Sequence, residues 1–154
     1  MRSRCAAATL LVALAVSVSA EDVIERVLAD LGGEPILLSE VRLFERLKRL
    51  GRGAALEALL DERLMYQEAA RLPQAVLTRD EATAACADLA AKAPELASDP
   101  ALCALARREA VVLKYISFRF AADEGEEGQT LNERIEEWVR DLRAAATIRY
   151  NAGP

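Results

Sequence analysis

Apolar residues recur along most of this chain at three- and four-residue spacing, with short runs of branched residues near each end of the periodic region. From Val23 to Leu31 the sequence is rich in branched side chains. Gly32-Gly33-Glu34-Pro35 then offers a turn, and Ile36-Leu37-Leu38 continues extended, which predicts a short β-hairpin. The alternation is imperfect, so helix is the competing assignment for Val23 to Leu31. Ser39 stands where an N-cap would open a helix from about Glu40 to Leu50, with Val41, Phe44, Leu47 and Leu50 on one stripe and Gly51 and Gly53 to end it.

A second helix is expected over roughly Ala54 to Leu72. It places Leu56, Leu59, Leu60, Leu64 and Ala70 near one face before Pro73 stops it. Thr78 and Glu81 have the spacing of a capping box and open a third, Ala-rich helix running to about Lys92. Asp99-Pro100 supplies an N-cap and a proline at the first helical residue of a fourth. That helix carries Leu102, Leu105, Val111, Val112, Leu113, Ile116, Phe118 and Phe120, and an apolar surface on so many sides predicts the buried centre of the domain. After an acidic, glycine-containing connection over 121–129, a second capping box at Thr130 and Glu133 begins the clearest amphipathic helix, with Leu131, Ile135, Trp138, Val139, Leu142 and Ala146 in phase. Thr147 to Tyr150 reads as a terminal strand able to pair with the N-terminal hairpin. The expected fold class is mainly α: a small domain of four to five helices, with a short N-terminal hairpin joined by a C-terminal strand.

The segment before this region alters the setting. Arg2 and Arg4 precede an apolar run from Ala6 to Val18, and Val18-Ser19-Ala20 has the small residues of a cleavage site, so residues 1–20 read as a signal peptide cut after Ala20. The run is shorter than the about 20 apolar residues of a membrane span and meets Glu21-Asp22 directly. No stable membrane insertion is therefore expected after cleavage, and Glu21 to Pro154 has the size of a single domain. Cys5 would leave with the signal. Export would place Cys86 and Cys103 where a disulfide persists; two buried free thiols are the alternative. Net charge is −5 and becomes more negative without Arg2 and Arg4, which argues against a nucleic-acid face. Hydrophobic content of 53% with only 5% aromatic reflects the Ala and Leu of packed helices.

Three segments in order resemble the SurA-type periplasmic chaperone family. Val-Leu-Ala-Asp-Leu-Gly-Gly-Glu-Pro-Ile-Leu-Leu-Ser-Glu-Val at Val27 to Val41 is similar to that family's opening hairpin and first helix start. Leu59-Leu60-Asp61-Glu62-Arg63-Leu64-Met65-Tyr66-Gln67-Glu68-Ala69 is similar to its next helix. Trp138 to Arg143, continued through Ile148-Arg149-Tyr150, is similar to its closing helix and strand. Full-length members usually carry one or more parvulin-type prolyl isomerase domains before the closing helix, where this chain has only the 121–129 connection. The resemblance thus implies a single SurA N-terminal-like chaperone domain, with 130–154 as its closing helix and strand and without the isomerase. It would act as an ATP-independent holdase in the bacterial periplasm, binding unfolded outer-membrane or secreted polypeptides. A non-catalytic envelope adaptor binding one folded partner is the alternative.

The residues themselves offer little catalytic chemistry. The chain has no His, which removes Ser-His-Asp and Cys-His arrangements, and two cysteines seventeen positions apart do not have zinc-site spacing. Gly51-Arg52-Gly53 reads as a turn more readily than as a phosphate cradle. Paired carboxylates such as Asp61-Glu62 and Glu136-Glu137 read as solvated helix faces, and the Asp123 to Glu127 run lacks the ligand order of a calcium loop. No enzyme activity and no cofactor or metal are expected. Candidate peptide contacts are the large side chains Phe44, Leu47, Met65, Tyr66, Phe118 and Trp138, each with core packing as the competing role. A groove, if formed, would lie between the first helices and the returning C-terminal helix.

Overall fold

The computed structural model describes residues 25–121 and 129–151. Residues 1–20, assigned above to a signal peptide, and most of the 121–129 connection lie outside them. Three strands and five helices follow the expected order. β1 (Val27–Leu31) and β2 (Glu34–Leu37) form the hairpin. α1 (Leu38–Lys48), α2 (Arg52–Ala69), α3 (Arg79–Lys92), α4 (Pro100–Ala121) and α5 (Leu131–Ala145) follow, and β3 (Ile148–Tyr150) closes the chain. Single 3-10 turns at Pro73–Ala75 and Pro94–Leu96 flank α3. No helix among the described residues is long and apolar enough to cross a membrane.

The hairpin turn depends on Gly32 (φ 61°) and Gly33 (φ 96°), backbone that residues with a Cβ adopt only with strain. The Asp30 carboxylate accepts from the Gly33 amide at 3.0 Å and fixes the turn. β1 lies between β2 and β3, both antiparallel to it, with Ala29 opposite Tyr150 and Leu31 opposite Ile148. The Asn151 amide donates to the Leu28 carbonyl and the Gly32 amide to the Thr147 carbonyl, both at 2.9 Å. Of these strands β1 has the more buried inward residues, Ala29 and Leu31, which with Ile36 of β2 cap the helical core.

Several local expectations need correction. Ser39 is not the N-cap: Leu37 is the extended residue before the helix, so Ser39 falls in the first turn. β2 runs straight into α1, and carboxylates satisfy the freed amides. Glu40 accepts from Leu37 N–H at 3.2 Å and Glu25 from Ser39 N–H at 3.1 Å, an arrangement the helix dipole favours. Gly51 and Gly53 do not end α1 either. Arg49 ends it in the left-handed region (φ 54°), while Gly51 precedes α2 and its carbonyl accepts from Ala55 N–H at 2.9 Å. In α2 the alanines that are buried are Ala55 and Ala69, whereas Ala70 is exposed because the helix stops at Ala69.

The main core gathers Val41, Leu43, Phe44, Leu59, Leu60, Leu64, Leu96, Leu102 and Leu105 around the sheet face. A second cluster joins Ala69, Ala75, Tyr115 and Trp138, with Phe120 and Ile135 packed against it. α4 is not the fully buried centre. Its Leu102, Leu105, Val112 and Tyr115 are buried, but Leu113 is 66% and Phe118 58% exposed, because no element among the described residues lies over those faces of the helix.

α3 has no buried residue and is held at two places along α4. At its start both capping-box bonds form, Thr78 N–H to Glu81 Oε2 at 2.7 Å and Glu81 N–H to Thr78 Oγ1 at 3.2 Å, and Lys114 Nζ sits 2.9 Å from both Glu81 oxygens. Farther along, Cys86 is disulfide-bonded to Cys103 across a separation of 17 residues. Closing a loop of that size constrains the unfolded chain by roughly 3 kcal/mol. Replacing both cysteines by serine should lower unfolding free energy by about that amount, read from urea denaturation of the oxidised protein against the double variant; an unchanged midpoint would show that the bond adds nothing.

These bonds hold the Glu81 carboxyl down to about 2, first through the Thr78 amide and then through Lys114. A carboxyl with a depressed folded value adds stability above its unfolded value, and that contribution disappears as pH falls through the folded one. Glu133 is lowered in the same direction by the Thr130 cap on α5. The stability difference between the native protein and Glu81→Ala should therefore be full at neutral pH and shrink between about pH 4.5 and 2. Thermal melts followed by circular dichroism across that range would measure it, and a pH-independent difference would contradict the assignment.

Candidate functional site

α2 is the element against which α1, α4 and α5 are positioned, and its polar residues point to different neighbours. Arg63 Nη1 donates to Glu34 of β2 at 2.9 Å and Nη2 bonds Glu40 of α1. Gln67 also donates to Glu34, at 2.9 Å. Toward α5, Arg143 bonds Asp61 and reaches the Glu57 carboxylate at 2.8 Å and the Glu57 carbonyl at 2.9 Å. The Tyr150 hydroxyl donates to Glu57 at 3.2 Å, so β3 joins the same group. Burial and the adjoining Glu57 carboxylate raise the Tyr150 phenol.

Toward α4, Arg108 Nε donates to Glu62 at 3.0 Å. Glu62 is 5% exposed, and burial pushes its carboxyl upward against the opposing pull of Arg108. A carboxylate in such surroundings is tolerated only because it is paired and hydrogen-bonded.

Beside this pair the helices leave an apolar groove of about 520 Å³, within the range of about 300–1,000 Å³ common for binding sites. α1 contributes Phe44 and Lys48, α2 contributes Ala58, Glu62 and Met65, and Leu50 comes from the bend between them; the opposite wall is Val112, Leu113 and Ile116 of α4 with Ile135 of α5. The charged residues at its edge are already engaged. Lys48 Nζ lies 2.7 Å from Glu109 and Glu62 is held by Arg108. Leu113 and Leu50, 66% and 38% exposed, leave the groove open to solvent. Phe44 itself is buried at the bottom.

Of the six residues singled out from sequence, Phe44 and Met65 line this groove together. The other four do not. Leu47 is half-buried against the main core, Tyr66 is half-buried elsewhere on α2, and Phe118 is exposed on a separate face of α4. Trp138 is 6% exposed, stacked on Tyr115 with centroids 5.2 Å apart and edge-on to Phe120 at 6.1 Å. Its surroundings are those of a packing residue. Sequence reasoning did not select Leu50, Val112, Leu113, Ile116 or Ile135 as site residues, because their spacing matches that of core stripes. The solvated face expected at Asp61-Glu62 does not hold for Glu62, which is buried and bonded to Arg108.

No cluster of His, Cys, Asp or Glu suited to a metal ion occurs among the described residues. No protein-family model, curated protein or solved structure matches this chain.

Removing one member of a buried ion pair strands the other, whereas replacing both by apolar groups of similar volume does not. Arg108→Met should destabilise the fold by about 3 kcal/mol, and Glu62→Leu combined with Arg108→Met should recover most of that loss. Urea unfolding of the two single variants and the double variant gives the coupling; additive losses would rule out a paired, desolvated site.

Proposed function

We propose that this protein is an ATP-independent holdase of the bacterial periplasm, binding unfolded outer-membrane or secreted polypeptides at the groove between α1, α2, α4 and α5. The observation carrying this reading is the open apolar groove itself. Large aliphatic side chains on two walls remain in contact with water, and contiguous exposed apolar surface of this kind marks an interaction site more often than ordinary surface. The resemblance of the opening hairpin, α2 and the closing helix and strand to SurA-type chaperones supports the same class of client, and the signal-like residues 1–20 support the compartment. Release would need no nucleotide, since a shallow groove without strong polar anchors binds weakly and exchanges its occupant by diffusion. On this reading the chain is not an enzyme and uses no cofactor. A non-catalytic adaptor for one folded envelope partner is the competing function.

Leu113 is the residue to change, because its exposure lets it be altered without opening the core. The purified protein should suppress light scattering from a denatured outer-membrane protein at stoichiometric excess, and Leu113→Glu should lose most of that suppression while its circular dichroism and melting temperature remain close to the parent's. Absence of suppression by the folded parent would reject the holdase function, and a single stoichiometric folded partner in pull-downs would favour the adaptor.

A further inference from the structure

The groove restricts the conformation of what it can hold. Apart from Lys48 and Leu50 at the end of α1, every lining residue lies inside a helix, where amide and carbonyl are spent on the helical ladder. The three strands of the sheet contribute nothing to the lining. The polar side chains at the edge, Lys48, Glu62 and Glu109, are committed to one another and to Arg108. In an extended segment laid here, those amides and carbonyls that turn toward the apolar walls would lose water without gaining a partner, at a cost on the order of 1–3 kcal/mol for each group so buried. A helical segment satisfies its backbone internally and needs only side-chain contact.

Charge gives the occupant a direction. Lys48, Arg49 and Arg52 flank Leu50 in the bend between α1 and α2, all of them exposed, in a chain whose net charge is −5. Lys48 and Arg52 are paired with Glu109 and Glu45. Arg49, between the lining residues Lys48 and Leu50, occupies the left-handed conformation (φ 54°) where glycine is the usual residue. A side chain costs conformational energy there, and this exposed cation is flanked in the chain by two residues that line the groove. The carboxyl end of a helix carries partial negative charge and complements such a rim.

We propose that the groove binds an amphipathic α-helical segment of a client polypeptide, its apolar face against Met65, Leu113 and Ile116 and its acidic C-terminal turn toward Arg49. This rests on the groove being a polypeptide site, as proposed above. An apolar face of about three to four residues over two turns matches the aliphatic walls.

The test uses the purified protein and labelled synthetic peptides followed by fluorescence anisotropy. The parent peptide is an amphipathic helix with acidic residues in its last turn. A second has two central prolines, and a third carries the same acidic residues in its first turn, which makes the free peptide the better helix former. The proposal expects the proline peptide to bind roughly tenfold or more weakly than the parent. It expects the third to bind more weakly despite its higher helicity, and the bound parent to gain helical circular dichroism. Arg49→Gly should leave the melting temperature equal or higher, yet reduce parent affinity roughly two- to fivefold at low salt and abolish the preference between acidic ends. Equal binding of the proline peptide, no helical gain on binding, or no binding by any peptide would each overturn the proposal. If the proline peptide binds as well as the parent while client aggregation is still suppressed, the helical specificity fails and the holdase function stands. Selective helix binding without suppression has the opposite meaning.

Discussion

The return of α5 and β3 onto the N-terminal half of the chain is the constraint from which the remaining architecture follows. Trp138 enters between Tyr115 and Phe120 of α4, while Arg143, five residues farther on and about 140° round the helix, bonds Glu57 and Asp61 of α2. One helix thereby fixes two others. The strand after it completes the sheet on the free edge of β1, an edge that would otherwise present unpaired backbone groups. Without this closure Ala69 and Tyr115 would lose their cover, and the groove would lose the wall formed by Ile135.

α2 makes that closure specific. Its polar residues recur so that consecutive pairs face different neighbours: Glu57 and Asp61 toward α5, Glu62 toward α4, Arg63 and Gln67 toward β2 and α1. Partly buried ion pairs add little net stability, since desolvation offsets much of the Coulomb attraction. Their directional bonds still penalise any packing in which a carboxylate or guanidinium is stranded, so they select one rotation of each helix about α2. That selection holds the two walls of the groove apart at a fixed angle, since both walls are bonded to the same helix.

Local signals in the sequence were a good guide wherever one element could satisfy them alone. The capping boxes at Thr78 and Thr130, the proline opening α4 and the Gly32-Gly33 turn all formed where their chemistry directed, and the terminal strand paired with the hairpin. Errors arose where neighbouring chain changed the local balance. Ser39 lost the cap to Leu37 because β2 leads into the helix without a loop and acidic side chains supplied acceptors. Arg49 took the left-handed turn expected of glycine. The groove was the least legible feature: Phe44 and Met65 could be named as large apolar residues, but membership of the site depends on which stretch of a helix is left uncovered, and that is decided by residues distant in sequence.

α4 shows how this happens. Leu102 and Leu113 are eleven residues apart, about three turns at 3.6 residues each, and so share one line along the helix. Leu102 is buried in the main core, whereas Leu113 is exposed. Periodicity cannot separate them. Cys103 and Lys114 form a second line, one residue or about 100° farther round, and both hold α3, through the disulfide and through Glu81. α3 is therefore fixed to the flank of α4 and cannot swing across Leu113 to close the groove. Its own composition points the same way: the helix is built largely of alanine and has no buried residue, so it lacks side chains large enough to fill that space. The open groove is thus a consequence of where α3 is anchored and of how little apolar volume it carries.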